Sequence, residues 1–373
     1  MRLALELAFT ELEHEMERQI ASGLRPSIQV AVDLGGELVF ERALGEAATV
    51  DSTYLLWSST KPLVAVALLQ LVEEGRAALD DRVAKHIPEF GTRGKERCTL
   101  LHLLTHRGGF PGTAPELESA MSKVARDWPE ALRFVCEMEA IWEPGTDRGY
   151  HPRTAWFVVG ELVQRLAGRP LAEVLRARVL EPLGVPLDGF SLGRPQDLAA
   201  PPMPVRTRAV KGAPPESEAA YWNDPRTHRA VIPGAGGIAR ARTLAAFYRA
   251  LLDGGAGRNG RILSPEMVRT ATFPHVVGFR DRTFLRDIPW GLGMHLKHVV
   301  PSLDDCGTRA TPGTFGHAGH FLVNTAWGDP GRNAAAAILS NGLAEPIAGV
   351  RAVSALSDAI HVAIDRATAG GRG

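Results

Sequence analysis

The sequence predicts an α+β fold: an antiparallel sheet flanked by helices, with a mostly helical second lobe. Three observations predict it. β-rich runs stand near both ends of the chain, "SIQVAVDLGGELVFERALG" early and "HFLVNTAW" with "NAAAAILSN" late. The middle third carries helical periodicity with little β signal. At 373 residues the chain exceeds the size at which one simple core keeps growing, so two lobes are expected.

Each element follows from a local pattern. Leu5, Phe9, Leu12, Met16 and Ile20 recur mostly four apart, which predicts an amphipathic helix over 3–22. The two β-rich runs that follow flank Gly35-Gly36, a hairpin signal. A helix is expected from about Thr60 to Glu74, ended by Gly75. Helices then dominate "CTLLHLLTHRGGFPG", "DWPEALRFVCEM" and "RTAWFVVGELVQRLAGRPLAEVLRARVLEPLGV". Residues 191–216 are rich in proline and read as a long irregular surface loop: a lid, a substrate wall or a disordered segment. "PGAGGIARARTLAAFYRALLDGG" returns to helix after a glycine-rich turn. "IPWGLGMHL" reads as one strand; "HFLVNTAW" and "NAAAAILSN" read as two more, joined by "GDPGR". Val350, Val353, Leu356, Ile360 and Ile364 share one face of a closing helix over 346–367. These elements divide into an α/β lobe, 1–90 with 235–373, and a mostly helical lobe, 91–234, that includes the proline-rich loop.

Composition narrows the function. Lys+Arg and Asp+Glu both number 42, so a balanced surface gives no electrostatic case for nucleic acid or an anionic membrane. Cys98, Cys136 and Cys306 are odd in number and widely spaced, which argues against a disulfide framework and for a reducing compartment. Glu6, Glu11, Glu13 and Glu15 interrupt the first apolar run, so it does not read as a secretory signal. A cytoplasmic enzyme is the expectation. No metal-ligand spacing is present, and two histidines at 317 and 320 lack a third ligand. No phosphate-binding loop, dinucleotide fingerprint or Gly-x-Ser-x-Gly elbow is found, and no cofactor is expected.

One motif stands out. With 14 serines and six lysines, chance predicts about 0.2 Ser-x-x-Lys matches. The chain has one, Ser58 and Lys61, at the start of an apolar helix. Residues three apart on a helix face each other across a turn. A lysine at a helix N-terminus beside Leu56, Trp57, Pro62 and Leu63 is disfavoured as a cation, by the dipole and by desolvation, so its pKa should fall. That suits a general base that activates a serine. The alternative is that Ser58, Ser59 or Thr60 simply caps the helix. Tyr150 follows a Pro-Gly turn and precedes a helix, where a nearby cation would lower its pKa; it reads as a proton shuttle or as a half-buried structural tyrosine. In "TFGHAGHFLVNTAW", Gly316 and Gly319 would keep a strand edge open for a ligand, with His317 pointing toward it.

Taken in order, Ser58-x-x-Lys61, "LLTHRGGFPG", Tyr150 and His317-Ala318-Gly319 resemble the serine β-lactamase and penicillin-binding protein superfamily, nearest to class C β-lactamases and related esterases and transacylases. The resemblance spans about residues 20–365. It implies a β-lactamase/DD-peptidase-like fold, with Ser58 as acylated nucleophile, Lys61 as proton acceptor and Tyr150 as base and then acid. It places the oxyanion hole at the backbone N–H groups of Ser58 and His320. Trp57, His151, His317, Gly319 and Trp222 are assigned to substrate contact, and Tyr221, Trp222 and Ile232–Gly237 to the pocket walls. The chain departs from the β-lactamase pattern where Pro152 replaces an asparagine, His317 a lysine and Ala318 a hydroxyl residue. Those losses weaken recognition of a β-lactam carboxylate. An ester, thioester or activated amide is therefore the expected substrate. The partners are a small-molecule acyl donor and, in a transacylase, an amine or alcohol acceptor. Two further readings rank below these, a β-lactamase or D-peptidase and a binding protein that does not turn over.

Overall fold

The computed structural model describes residues 7–195, 200–207, 215–297, 304–320 and 323–369. A helix, α1 (Thr10–Ala21), leads into a hairpin of β1 (Ser27–Leu34) and β2 (Glu37–Gly45). Gly35 and Gly36 make its turn at φ +63° and +95°, values that glycine adopts without a Cβ penalty. Two-residue β3 (Tyr54–Leu55) and a 3₁₀ turn (Trp57–Thr60) then feed α2 (Lys61–Glu73). Further helices follow, among them α3 (Thr154–Ala167). β4 (Phe190–Leu192), β5 (Gly237–Ala239) and α4 (Ala241–Leu252) precede β6 (His295–Leu296), β7 (Phe315–Ala318), β8 (Thr325–Asp329), β9 (Ala334–Ser340) and the closing helix α5 (Pro346–Ala369).

The main sheet has six strands in the order β2-β1-β9-β8-β7-β6, and every pairing is antiparallel. Strands from both chain ends meet where β1 pairs with β9, Val30 opposite Ile338. The period of two in β9 splits its side chains between two cores. Ala334, Ala336 and Ile338 face α1 and α5, against Leu12, Met16, Val353, Leu356, Ile360 and Ile364. Ala335, Ala337 and Leu339 join the larger core on the other face, with Leu244, Phe247 and Leu251 of α4. Four consecutive alanines make β9 thin enough for helices to approach on both faces. Among the described residues one helix, α5, is long and apolar enough to cross a membrane by length and composition, and its apolar face lies buried against this sheet. A second sheet, β3-β5-β4, ties the nucleophile turn to the middle of the chain. α2 is apolar all round because it is buried all round, packed beside α3.

Three expectations about strands change. Within 288–296 only His295 and Leu296 form a strand. Pro289 and the glycines at 291 and 293 interrupt the ladder, and Gly293 N–H turns away to Leu104 O. Residues 315–318 form a strand that its glycine and histidine concealed, and the next begins at Thr325 rather than His320. In the proline-rich stretch Arg206-Thr207 pairs parallel with Gly342-Leu343; residues 196–199 and 208–214 lie outside the described residues.

Candidate active site

The hydroxyls of Ser58, Ser59 and Thr60 have three different uses. Trp57 adopts φ +44°, a left-handed conformation that costs a non-glycine residue about 1 kcal/mol or more. Its ring is buried edge-on to Trp222, with centroids 6.3 Å apart. Ser59 is buried, with Oγ 3.0 Å from both His317 O and Asn324 Oδ1. Thr60 Oγ1 accepts Gly237 N–H at 3.0 Å. Ser58 alone stays half-buried. No side chain caps α2 or the turn before it, so the helix-capping reading of these residues fails.

Lys61 is fully buried, and its Nζ lies 2.9 Å from Ser58 Oγ, 2.7 Å from Pro152 O and 2.7 Å from Gly234 O. The two carbonyls can only accept. A neutral amine has two N–H groups for them, and its lone pair is then left facing the Ser58 hydroxyl. Burial pushes the Lys61 pKa well below the usual lysine value; Glu118 opposes the shift and Arg153 adds to it. The Tyr150 and Trp156 rings lie 5.3 and 5.5 Å from Nζ.

Tyr150 reaches the same oxygen from another side, with Oη 2.8 Å from Ser58 Oγ. Its pKa moves opposite to the expected direction. Burial raises it, the Ser58 hydrogen bond lowers it, and the Asp281 and Glu118 carboxylates raise it further. The neighbouring lysine is desolvated, so it does not act as the cation that the lowered value required. Tyr150 is thus a hydrogen-bond donor and Lys61 the acceptor-capable base. Ser58 lies between them.

The other predicted residues divide. The His317 ring is buried, packed at a tilt among Tyr150, Trp290 and His295 at 5.4–6.2 Å, rather than opened toward a ligand. Burial, with His295 and Lys61 nearby, lowers its pKa well below the usual histidine value. His320 Nε2 pairs with Glu218 Oε1 at 2.7 Å on the helix 216–223. His151 is buried; its Nε2 accepts Phe110 N–H at 3.1 Å and its ring packs on Phe110. Trp222 backs Trp57, and Tyr221 lies under the Arg126 guanidinium at 4.5 Å. The glycine at 319 answers to Asn324 rather than to a ligand, because a Cβ there would sit 2.1 Å from Asn324 Oδ1. Asn324 also donates to Leu55 O at 3.0 Å, so it cannot swing aside freely. Gly319→Ala is expected to cost about 1–3 kcal/mol, read by equilibrium urea unfolding. An unchanged midpoint would show that Asn324 yields.

Sequence reasoning missed Asn324, the carbonyls of Pro152 and Gly234, and Asp281, whose Oδ1 accepts the Tyr150 N–H at 3.2 Å. Pro152 and Gly234 act through main-chain oxygens, which carry no residue signature. "PGAGG" was marked only as a wall.

A serine hydroxyl held between a desolvated amine and a phenol can be deprotonated, can attack an acyl carbon, and has a proton donor beside the leaving group. Comparisons with known proteins place the chain in a family. The model of the Beta-lactamase family matches residues 12–359. Esterase EstB of Burkholderia gladioli is 31% identical over 367 residues, covering 87% of this chain and 88% of its own. The crystal structure of a penicillin-binding protein homologue from Caulobacter crescentus is 28% identical, with TM-score 0.76 over 94% of this chain and 97% of that one. EstCE1, described as a hydrolase with promiscuous acyltransferase activity, shares the fold at TM-score 0.78 and 21% identity, covering 96% of this chain and 100% of its own. The chain therefore belongs to the Beta-lactamase family and is an enzyme of the serine β-lactamase-like superfamily, which includes esterases.

Proposed function

We propose that the protein is an esterase-like serine hydrolase that acts through an acyl-enzyme on Ser58. The observation that carries the reading is the approach of Lys61 Nζ and Tyr150 Oη to one oxygen, Ser58 Oγ, at 2.9 and 2.8 Å. Ser58 Oγ attacks the acyl carbon and its proton passes to Lys61 Nζ. The bond to the leaving alcohol breaks as Tyr150 Oη–H protonates the departing oxygen, and the Lys61 proton then restores the phenol. Water attacks the ester on Ser58, a proton returns to Ser58 Oγ, and a carboxylic acid leaves. The backbone N–H groups of Ser58 and His320 are assigned to the oxyanion.

The substrate reading rests on what the site lacks. A β-lactam carboxylate calls for a fixed cation, whereas His317 is buried and biased to its neutral form. EstB, the esterase relative, supports the same choice. Hydrolysis of p-nitrophenyl butyrate and of nitrocefin by the same preparation tests it. The ester is expected to be favoured by at least about 10³-fold in kcat/KM; comparable values would reverse the assignment.

Transfer of the acyl group to an amine or alcohol is the second reading. It is favoured by Phe284, an exposed ring 5.0 Å from that of Tyr150, which offers an acceptor an apolar surface next to the phenol. Added butylamine would then divert product from acid to amide. The three thiols are free and buried, which supports the proposal of a reducing cytoplasmic setting.

A further inference from the structure

The histidine of "LLTHRGG" has no part in the chemistry above, yet it is placed against the tyrosine that does. Three successive backbone N–H groups, those of Gly149, Tyr150 and His151, each have a partner. Gly149 N–H donates to His106 O at 3.2 Å. Tyr150 N–H donates to Asp281 Oδ1 at 3.2 Å. His151 N–H donates to His106 Nδ1 at 3.1 Å. His106 thus holds the residues on both sides of Tyr150, once through its carbonyl and once through its ring. It also packs that ring 4.6 Å from the Tyr150 ring and 4.4 Å from the Trp290 ring.

The backbone at His106 is set for this task. Its φ is +59°, where glycine is the default residue, and glycines stand close by at 108 and 109. Glycine would satisfy the turn but would offer no ring nitrogen to His151. The chain carries a fully buried histidine there instead, with left-handed strain of about 1 kcal/mol or more. Because Nδ1 accepts, it bears no proton, and the neutral ring carries its hydrogen on Nε2. Burial lowers the His106 pKa well below its usual value, with His151, Lys61 and His317 adding to the effect, which keeps Nδ1 available.

We propose that His106 is a positioning residue for Tyr150: by bonding the N–H groups of Gly149 and His151 it fixes the backbone from which the tyrosine hydroxyl reaches Ser58. The inference rests on the acyl-enzyme reading of Ser58. The phenol oxygen stands at the end of a long side chain, so a small backbone tilt moves it far. A displacement of about 1 Å at a reacting group can cost about 10²-fold in rate.

The test compares His106→Asn, His106→Leu and Tyr150→Phe on two substrates, ethyl butyrate and p-nitrophenyl butyrate. Asparagine tolerates positive φ and places an acceptor at the δ1 position; leucine fills space without an acceptor. An ethoxide leaving group needs the Tyr150 proton and nitrophenolate hardly does. His106→Leu is therefore expected to lower kcat on ethyl butyrate by about 10²-fold, with less than about tenfold lost on the nitrophenyl ester. His106→Asn should retain both activities within about threefold, and His106→Leu should add nothing to Tyr150→Phe. If the leucine variant does not fold, His106→Gln, whose acceptor lies one methylene further out, makes the same comparison. Equal losses in the asparagine and leucine (or glutamine) variants, equal effects on the two esters, or full additivity with Tyr150→Phe would overturn the inference and leave the Ser58 reading standing. Wild-type turnover of ethyl butyrate by Tyr150→Phe would remove the role of Tyr150, and this inference with it.

Discussion

Replacing Lys61 with methionine is expected to slow acylation of Ser58 by about 10²–10⁴-fold, the range for loss of a placed general base. Methionine matches the length and apolar stem of lysine but has no lone pair able to take the Ser58 proton. Lys61→Arg should be as inactive for a different reason. Arginine could still donate to Pro152 O and Gly234 O, but its guanidinium does not become neutral in proteins. It would also place a permanent charge where lysine is fully buried, so that variant should be the less stable of the two. The methionine variant leaves two carbonyls without donors, each costing about 1–3 kcal/mol, offset by no longer burying an amine. Stopped-flow nitrophenol release reads the rates and urea unfolding the stabilities.

The sign of the pH effect follows from the lowered Lys61 pKa. The neutral amine is the active form, so acylation rises with pH through a midpoint well below the usual 10.5 and then stays level. Stability has the same origin. Between the lowered folded value and the ordinary unfolded one, the unfolded chain binds the proton and the folded chain does not. Stability therefore falls as pH drops through that window, and this dependence should vanish in Lys61→Met.

Tyr150→Phe is expected to lower kcat on alkyl esters by about 10²–10³-fold with KM little changed, because the phenol acts on the leaving group rather than in ground-state binding. Burial is the largest cause of the raised Tyr150 pKa, and the Asp281 and Glu118 carboxylates add to it. The phenol therefore keeps its proton past the ordinary tyrosine value of 10.0, and wild-type activity should show no alkaline decline below about pH 10. A decline centred near pH 8 would mean that Tyr150 ionises early and works as the base instead.

What could be read from the sequence was what is local. Ser58 and Lys61 stand three apart at a helix entrance, so their contact follows from helix geometry alone. The joining of β1 to β9 followed from β patterns at both ends of the chain. Tyr150 was different: it lies 92 residues from Ser58, and no spacing predicts their contact, so only the order of motifs in the family resemblance pointed to it. Its protonation was misjudged because a lowered value needs a cation beside the phenol, and the neighbour the fold supplies is Lys61, desolvated among Tyr150, Trp156 and two distant carbonyls. Gly319 was read as room for a ligand because Asn324, the residue it makes room for, shows its contacts only after the β7–β8 hairpin has closed. His151 follows Tyr150 directly, yet it is buried against Phe110, a partner set by the packing of a different loop.

The most direct measurement is the intact mass of the wild type and of Ser58→Ala during reaction with p-nitrophenyl butyrate, with peptide mapping of any adduct. The account predicts one butyryl group on the wild type, mapped to Ser58, with nitrophenol released in step, and no adduct on the alanine variant. Equal labelling of both proteins, or an adduct that maps to another residue, would contradict it.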